Sequence, residues 1–255
     1  MLKIKEIVRP QSLEEAYELN QKRTNRILGG MLWMRMSNIQ IQKAIDLSGL
    51  GLDKIEETEE EFSIGCMVTL RELELHTGLN TCFEGLIRRS VEDIVGVQFR
   101  NSATIGGSLF GRFGFSDVLT AFLVLDTYVE LYKGGVCPLA EFASGKRDND
   151  ILVRVIVKKT KGHYAYQSYR NTKTDFPVLA VAMAQAEDGV KAAVGARPQR
   201  AEVRIVTDME KDTLKDLADS FAYGSNMRAS AEYRKHLASV LLKRAAEEIQ
   251  GKELV

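Results

Sequence analysis

A chain of 255 residues with 45% hydrophobic content buries a real core, and its length suits one large domain or two modest ones, so a disordered tail is excluded. Its 35 lysines and arginines balance 35 aspartates and glutamates, which leaves no global charge to draw it onto nucleic acid or an anionic membrane. The 3 cysteines form no CxxC and have no histidine pair beside them, which argues against a zinc or iron–sulfur ligand set, and no apolar run approaches the roughly 20 residues that span a bilayer.

Lys3 to Val8 alternates as a strand does and stops at Pro10. Ser12 then opens SLEEAYELNQKR with Glu15 three positions on, a capping-box start for a helix. A short apolar run leads into Gly29-Gly30, followed by a helical turn over Leu32 to Met36 and a β-like stretch from Ala44 to Leu50. Ile55 to Cys66 reads as one strand with acidic decoration, its run Glu56 to Glu61 being a solvated face rather than a metal site. Thr69 to His76 reads as a capped helix and Cys82 to Ile94 as another. After the glycine-rich stretch Ala103 to Asp117, Asp117 is expected to cap the densely apolar helix DVLTAFLVLD, which should be buried. TYVELYKGG and ILVRVIVKKTKGHYAYQSYR read as longer strands, separated by the polar segment Glu141 to Asp150, taken as the domain boundary. FPVLAVAMAQA reads as an apolar helix and Ala201 to Val206 as a strand. Two helices follow, over Met209 to Phe221 and in AEYRKHLASVLLKRAAEEI, the second amphipathic through Leu237, Val240 and Leu241.

Gly29-Gly30 and Gly106-Gly107 each sit after a short apolar segment and before a helical turn. Glycine pairs at such junctions permit positive φ and let backbone N–H groups converge on phosphate oxygens, so two such loops would clasp one pyrophosphate. Neither matches GxGxxG or carries the GKS or GKT of a P-loop, and each taken alone also reads as a plain turn. No nucleophile–base pair and no metal constellation supports hydrolysis. His76 and His163 have no recognisable partners, and His236 is a surface or proton-transfer candidate.

The string Arg100-Asn101-Ser102-Ala103-Thr104-Ile105-Gly106-Gly107-Ser108, with Ser116-Asp117 after it, resembles the RNxATxGGN…SD signature of the flavin-binding subunits of molybdenum hydroxylases, the xanthine dehydrogenase and carbon monoxide dehydrogenase family. Ile27-Leu28-Gly29-Gly30, placed after Pro10 to Ala16, is similar to that family's other glycine turn, and Arg228 to Leu237 resembles its RxSAEYRxxL helix. The matches stand in order and cover nearly the whole chain. The resemblance implies an α+β fold: a two-subdomain FAD-binding fold of the vanillyl-alcohol-oxidase/PCMH-like type over 1–147, with subdomains about 1–54 and 55–147, and a smaller C-terminal sheet-and-helix domain over 148–255. It implies FAD held at Leu28, Gly29, Gly30, Met31, Thr104, Gly106, Gly107, Ser108 and Asp117. The glycine backbone would face the pyrophosphate, Thr104 and Ser108 would add hydroxyl donors, and Asp117 would lie near the cofactor's polar atoms. Phe110, Phe113 and Phe115 are candidates to border the ring system or to pack in the core, and Arg112 to neutralise phosphate or to stand on the surface. Three departures from the pattern stand out: Met31 where the family commonly has threonine, Ser108 where it has asparagine, and Gly114 where it has proline.

In such a protein the redox chemistry belongs to the flavin. The resemblance implies an FAD subunit of a molybdenum hydroxylase, partnered by a small 2Fe-2S protein and a large molybdopterin protein, and the mixed amino terminus MLKIKEIVRP with the cysteine usage leads to the expectation of a cytoplasmic location. It would take electrons from the iron–sulfur cluster and pass them to NAD or another acceptor, with no catalytic side chain or metal ligand of its own and no nucleic-acid or membrane partner. Lacking a cysteine cluster and the length of a molybdenum-cofactor subunit, the chain is one component of that assembly. Two other readings stay open at this level: a flavin-free assembly subunit, favoured by the apolar Met31 loop, and a self-sufficient flavin oxidase.

Overall fold

In the computed structural model, which describes residues 1–187 and 189–253, the chain begins with β1 (Lys3–Val8) and α1 (Leu13–Asn20). The expected capping box forms: the Ser12 hydroxyl accepts from the Glu15 amide at 3.1 Å, and the Glu15 carboxylate takes the Gln11 amide at 2.8 Å. Next come β2 (Arg26–Leu28), α2 (Leu32–Arg35) and β3 (Gln40–Asp46), so the strand read from Ala44 starts earlier and closes in a 3-10 turn at Leu47–Leu50. Ile55 to Cys66 holds two strands rather than one. β4 (Ile55–Glu57) turns at Thr58, whose hydroxyl accepts the amides of Glu60 and Glu61, and the chain returns antiparallel as β5 (Glu61–Gly65).

Three short helices, α3 (Leu70–Leu75), α4 (Thr77–Cys82) and α5 (Leu86–Val91), stand where two were expected. His76 Nδ1 accepts the Leu79 amide at 3.1 Å and so starts a new helix, and the left-handed pair Glu84 and Gly85 (φ 49° and 77°) ends it. After α6 (Val97–Arg100) and α7 (Ile105–Phe110), α8 (Asp117–Phe122) is buried throughout, as its apolar density predicts. Its cap is Ser116, whose hydroxyl accepts the Leu119 amide at 3.1 Å; Asp117 is the first helical residue instead.

β6 (Thr127–Leu131), β7 (Gly135–Pro138), α9 (Leu139–Ser144), β8 (Leu152–Lys158) and β9 (Gly162–Arg170) follow. β10 (Pro177–Ala186) corrects the largest expectation, since FPVLAVAMAQA is a strand and not a helix. It lies between β9 and the next strand, β11 (Gly189–Gly195), and is buried from Pro177 to Ala184. With both faces covered it shows no alternation, and its alanines mimic helical composition. β12 (Glu202–Val206), α10 (Lys211–Ser220) and α11 (Ala231–Glu253) complete the chain.

The chain forms two compact units, neither contiguous in sequence. The first comprises Met1–Glu72, Val97–Gly111 and Thr127–Val157. It holds a parallel sheet ordered β1-β3-β2, with Ile4 opposite Ile41 and Ile27 opposite Ile45, and a sheet ordered β4-β5-β8-β6-β7. The second comprises Leu73–Gly96, Arg112–Asp126 and Lys158–Val255. Its antiparallel sheet β12-β11-β10-β9 packs Val181, Met183 and Val194 against Leu217 of α10 and Leu241 and Ile249 of α11. Arg234, only 1% exposed, fixes the start of α11. Its Nε donates to the Val178 carbonyl at 2.9 Å, Nη1 to Gly224 and Ala229, and Nη2 to Asn226 Oδ1.

The end of α11 is held by Glu84. Its carboxylate accepts from the Tyr164 amide at 3.1 Å and Lys252 Nζ at 2.8 Å, and meets His163 Nδ1 at 2.9 Å, so His163 does have a partner. Burial works against this carboxylate, but Lys252, His163 and the Tyr164 amide outweigh it and hold its pKa below the ordinary value. A depressed carboxylate stabilises the fold above its unfolded pKa, about 4.3 for glutamate, and that contribution is lost as pH falls through the folded pKa. The melting temperature should therefore drop on acidification below about pH 4.3, and E84Q should melt lower near neutrality while showing a shallower acid slope. Equal acid slopes in the two proteins would remove Glu84 from the account.

Candidate functional site

The first glycine loop leaves the end of β2 at Leu28, which is buried with Ile41 and Ala44 beneath Met31 and Met34. The left-handed conformation falls on Met31 (φ 58°), not on either glycine as expected. What Gly30 provides is the lack of a side chain: a Cβ there would stand 1.9 Å from the Ser102 carbonyl oxygen. Gly29 lies beside Thr104, and a Cβ on it would be 3.0 Å from Thr104 Oγ1. Two loops far apart in sequence thus meet backbone to backbone within the first unit.

The second loop is built onto the connector between β5 and α3. The Ile105 amide donates to the Val68 carbonyl at 2.9 Å, Gly106 to the Cys66 carbonyl at 2.9 Å, and Leu70 back to the Ala103 carbonyl at 2.8 Å. Thr104 caps α7, its hydroxyl accepting from the Gly107 amide at 3.1 Å, and the Ser108 amide and hydroxyl both donate to the Thr104 carbonyl at 3.0 Å. Burial pushes the Cys66 thiol up to about 12, so the residue serves this loop through its carbonyl and not through sulfur chemistry.

The amides expected to face a pyrophosphate therefore divide. Those of Gly106 and Gly107 are engaged within the chain, because the pair forms the first turn of a capped helix and not an open loop. Those of Gly29, Gly30 and Met31 make no hydrogen bond among the described residues, on a half-buried loop turned by a left-handed residue. Successive main-chain N–H groups around a left-handed residue are a recurrent setting for anionic oxygens. Between Leu28 and Ile39 the only charged side chain is Arg35, so nothing acidic opposes an anion there. Leu28, Gly29, Gly30, Met31, Thr104, Gly106, Gly107 and Ser108 thus come together, with the first loop offering donors and the second holding Thr104 against it.

Asp117 belongs to the second unit, where its carboxylate is buried and bonded to Tyr166 and Arg170. Neither partner was singled out from the sequence; the signal was their spacing of four on a strand, which puts both on one face. Phe110 packs on Phe142 in the first unit, with ring centroids 5.9 Å apart, whereas Phe113 stacks on Phe115 in the second at 5.1 Å. Arg112 is 7% exposed, which overturns the surface reading. His236 is exposed on α11. Among the described residues no three His, Cys, Asp or Glu side chains form a group able to hold a metal ion, and no helix is long and apolar enough to cross a membrane.

A family described as the FAD binding domain in molybdopterin dehydrogenase matches residues 2–159. Protein YgfM of Escherichia coli (strain K12) is 23% identical over 250 residues, covering 94% of each chain. A chain of the reconstituted CO dehydrogenase from Oligotropha carboxidovorans superposes with a TM-score of 0.85 at 21% identity, covering 98% of both chains. A chain of quinoline 2-oxidoreductase from Pseudomonas putida 86 does so at 0.82 and 19%, also over 98% of both. These likenesses show the fold, which is the α+β, PCMH-like FAD-binding fold that the resemblance implied.

The contact between the loops sets two expectations for urea denaturation. G30A forces the Ser102 carbonyl away and should lose about 1–3 kcal/mol, the usual range for overpacking. T104A removes a cap and should lose about 1 kcal/mol, with T104S close to wild type. A fully stable G30A would mean that the two loops do not meet at this distance in solution.

Proposed function

The chain belongs to the family of FAD-binding domains in molybdopterin dehydrogenases, and from that premise we propose that it is the FAD-binding, electron-transferring subunit of a molybdenum hydroxylase, an oxidoreductase component. The observation that carries this reading is the meeting of the two loops: Gly30 against Ser102, with the unengaged amides of Gly29, Gly30 and Met31 beside the Thr104 hydroxyl. Dinucleotides need close approach of bare main chain, and a side chain at Gly30 would fill the place where the loops touch.

When bound, FAD would supply the redox chemistry by which the subunit passes electrons between a 2Fe-2S partner protein and NAD or another acceptor, the substrate being oxidised on a large molybdopterin partner. The chain's own residues position it. Gly29, Gly30 and Met31 would hold its diphosphate through main-chain N–H groups, and the Thr104 hydroxyl, already accepting from Gly107, would have its proton left to donate to the same group. Leu28 anchors the loop from below, and Gly106, Gly107 and Ser108 keep Thr104 in place. The Met31 side chain packs on that apolar cluster and adds no hydroxyl, so binding at this loop rests on the backbone. In this reading residues 1–147 carry the flavin, 148–255 form the C-terminal domain of the same subunit, and the complex works in the cytoplasm, where its three cysteines stay reduced.

The test is the visible spectrum of the purified full chain. We expect one FAD per chain, bleaching on anaerobic addition of NADH, and loss of FAD in G30V while circular dichroism shows the fold intact. A colourless chain that takes up no added FAD would overturn the flavin role and favour an assembly subunit. A flavin that binds but stays oxidised with NADH would keep the subunit and exclude NAD as its redox partner.

A further inference from the structure

The antiparallel sheet of the second unit, ordered β12-β11-β10-β9, has two edges, and the chain treats them differently. At β9 the edge is closed by charge. The Tyr164 amide donates to the Glu84 carboxylate at 3.1 Å and the Tyr164 carbonyl accepts from Lys252 Nζ at 2.6 Å, so both main-chain groups that a further strand would use there are taken.

β12 has no such cover. Its ladder with β11 runs without a shift from Glu202 opposite Val194 to Val206 opposite Val190, and it holds no proline, glycine or bulge to turn a neighbour away. Every second residue of an edge strand points its N–H and C=O outward. Among the described residues no main chain other than β11 pairs with this strand. Ile205 stands on it 75% exposed, whereas Val206, one residue on, packs against the core that the sheet forms with α10 and α11. An exposed β-branched residue on a straight, open edge is the pattern by which strands recruit strands.

The charges of β12 select the occupant. Glu202 and Arg204 share one face of the strand, and Val203 and Ile205 share the other. Glu202 is fixed in place: Oε1 meets the fully buried side chain of Arg197 at 2.7 Å, and Oε2 meets Arg204 at 2.8 Å. Burial works against this carboxylate, but the two arginines outweigh it and hold its pKa below the ordinary value, so it is an anion at neutral pH. Both Glu202 and Arg204 stay open to solvent.

Two copies related by a two-fold axis pair their strands antiparallel, and residues opposite each other must then be both odd or both even in number. With the axis at Val203, Glu202 of each copy lies opposite Arg204 of the other, and Ile205 lies opposite the small Ala201. An axis at Glu202 or at Arg204 sets like charges face to face. An axis at Ile205 places Arg204 opposite Val206, with no acid to meet it. The register centred on Val203 is the one that matches charge with charge.

We propose that β12 is a self-association edge: it pairs with β12 of a second copy of this chain, antiparallel about Val203, and joins two four-stranded sheets into one. The interface is small, below the roughly 1,200 Å² at which standard complexes begin, so the dimer is weak and depends on concentration. Held partly by exposed charges, it is loosened by salt. It uses no residue of the glycine loops and does not depend on flavin.

The test is sedimentation velocity of the full chain from about 1 to about 100 µM, as wild type, R204E, I205K and E202R. Wild type should shift from monomer toward dimer over that range and back toward monomer in about 1 M salt. R204E and I205K change exposed side chains and should each weaken association about tenfold or more. R204E and E202R should each stay monomeric alone and form a dimer when mixed, because the mixture sets two acids opposite two arginines. Hydrogen exchange needs no variant: the amides of 202–206 should exchange about tenfold slower at the high concentration, with β9 unchanged. A chain that stays monomeric throughout would overturn the proposal. So would a dimer indifferent to R204E and I205K, since another surface would then hold it, or a mixture of folded R204E and E202R that does not pair. Should E202R unfold for want of a partner to Arg197, the exchange protection and the R204E and I205K shifts decide alone.

Discussion

The candidate cradle exists because two main chains touch where no side chain stands between them. With Gly30 bare, the Ser102 carbonyl comes within what would be 1.9 Å of a Cβ, and Thr104 is carried alongside Gly29. The two loops then play unequal parts. One is tied by its own amides to Cys66, Val68 and Thr104 and so keeps a fixed shape. The other is backed by an apolar cluster and keeps three amides unengaged among the described residues. Rigid support behind unengaged donors would lower the ordering cost of binding, because the groups that would meet a ligand are already in place.

The second unit shows the same economy of means with charge. Asp117, Arg197 and Arg234 are all nearly or fully buried, and each is matched by specific acceptors or donors. Arg197 donates to the carbonyls of Ala222 and Arg200 and pairs with Glu202 at 2.7 Å, while Arg234 gathers the 224–229 turn. The guanidinium fork satisfies several carbonyls at once, which suits segments that have no regular ladder to hold them. Unpaired, such charges would be prohibitive in the interior. They therefore sit where the path of the chain, rather than the bulk of the core, has to be specified.

Much of this was legible in the sequence, and the readable parts share a cause. Capping boxes act over three or four residues, so Ser12 with Glu15 could be read directly and forms as read, and the capped helix expected from Thr69 starts on a second such box, closed by Glu72. The misread elements depend on residues far away. β10 looks helical because it is covered on both faces, and burial on both faces erases the period of two that marks a strand. The acidic stretch before Cys66 folds back on itself at one threonine hydroxyl, a competition that composition does not reveal.

By itself, then, the sequence determined the family resemblance, the glycine pairs, the apolar helices and the order in which they occur. Only the tertiary structure decided which amides remain to be used, which glycine is needed for contact rather than for its φ, and that Asp117 is a bonded interior group. Those outcomes are set by hydrogen bonds between residues such as Gly106 and Cys66, or Asp117 and Arg170. Such bonds join points distant along the chain, and no local pattern encodes which donor a distant acceptor will take.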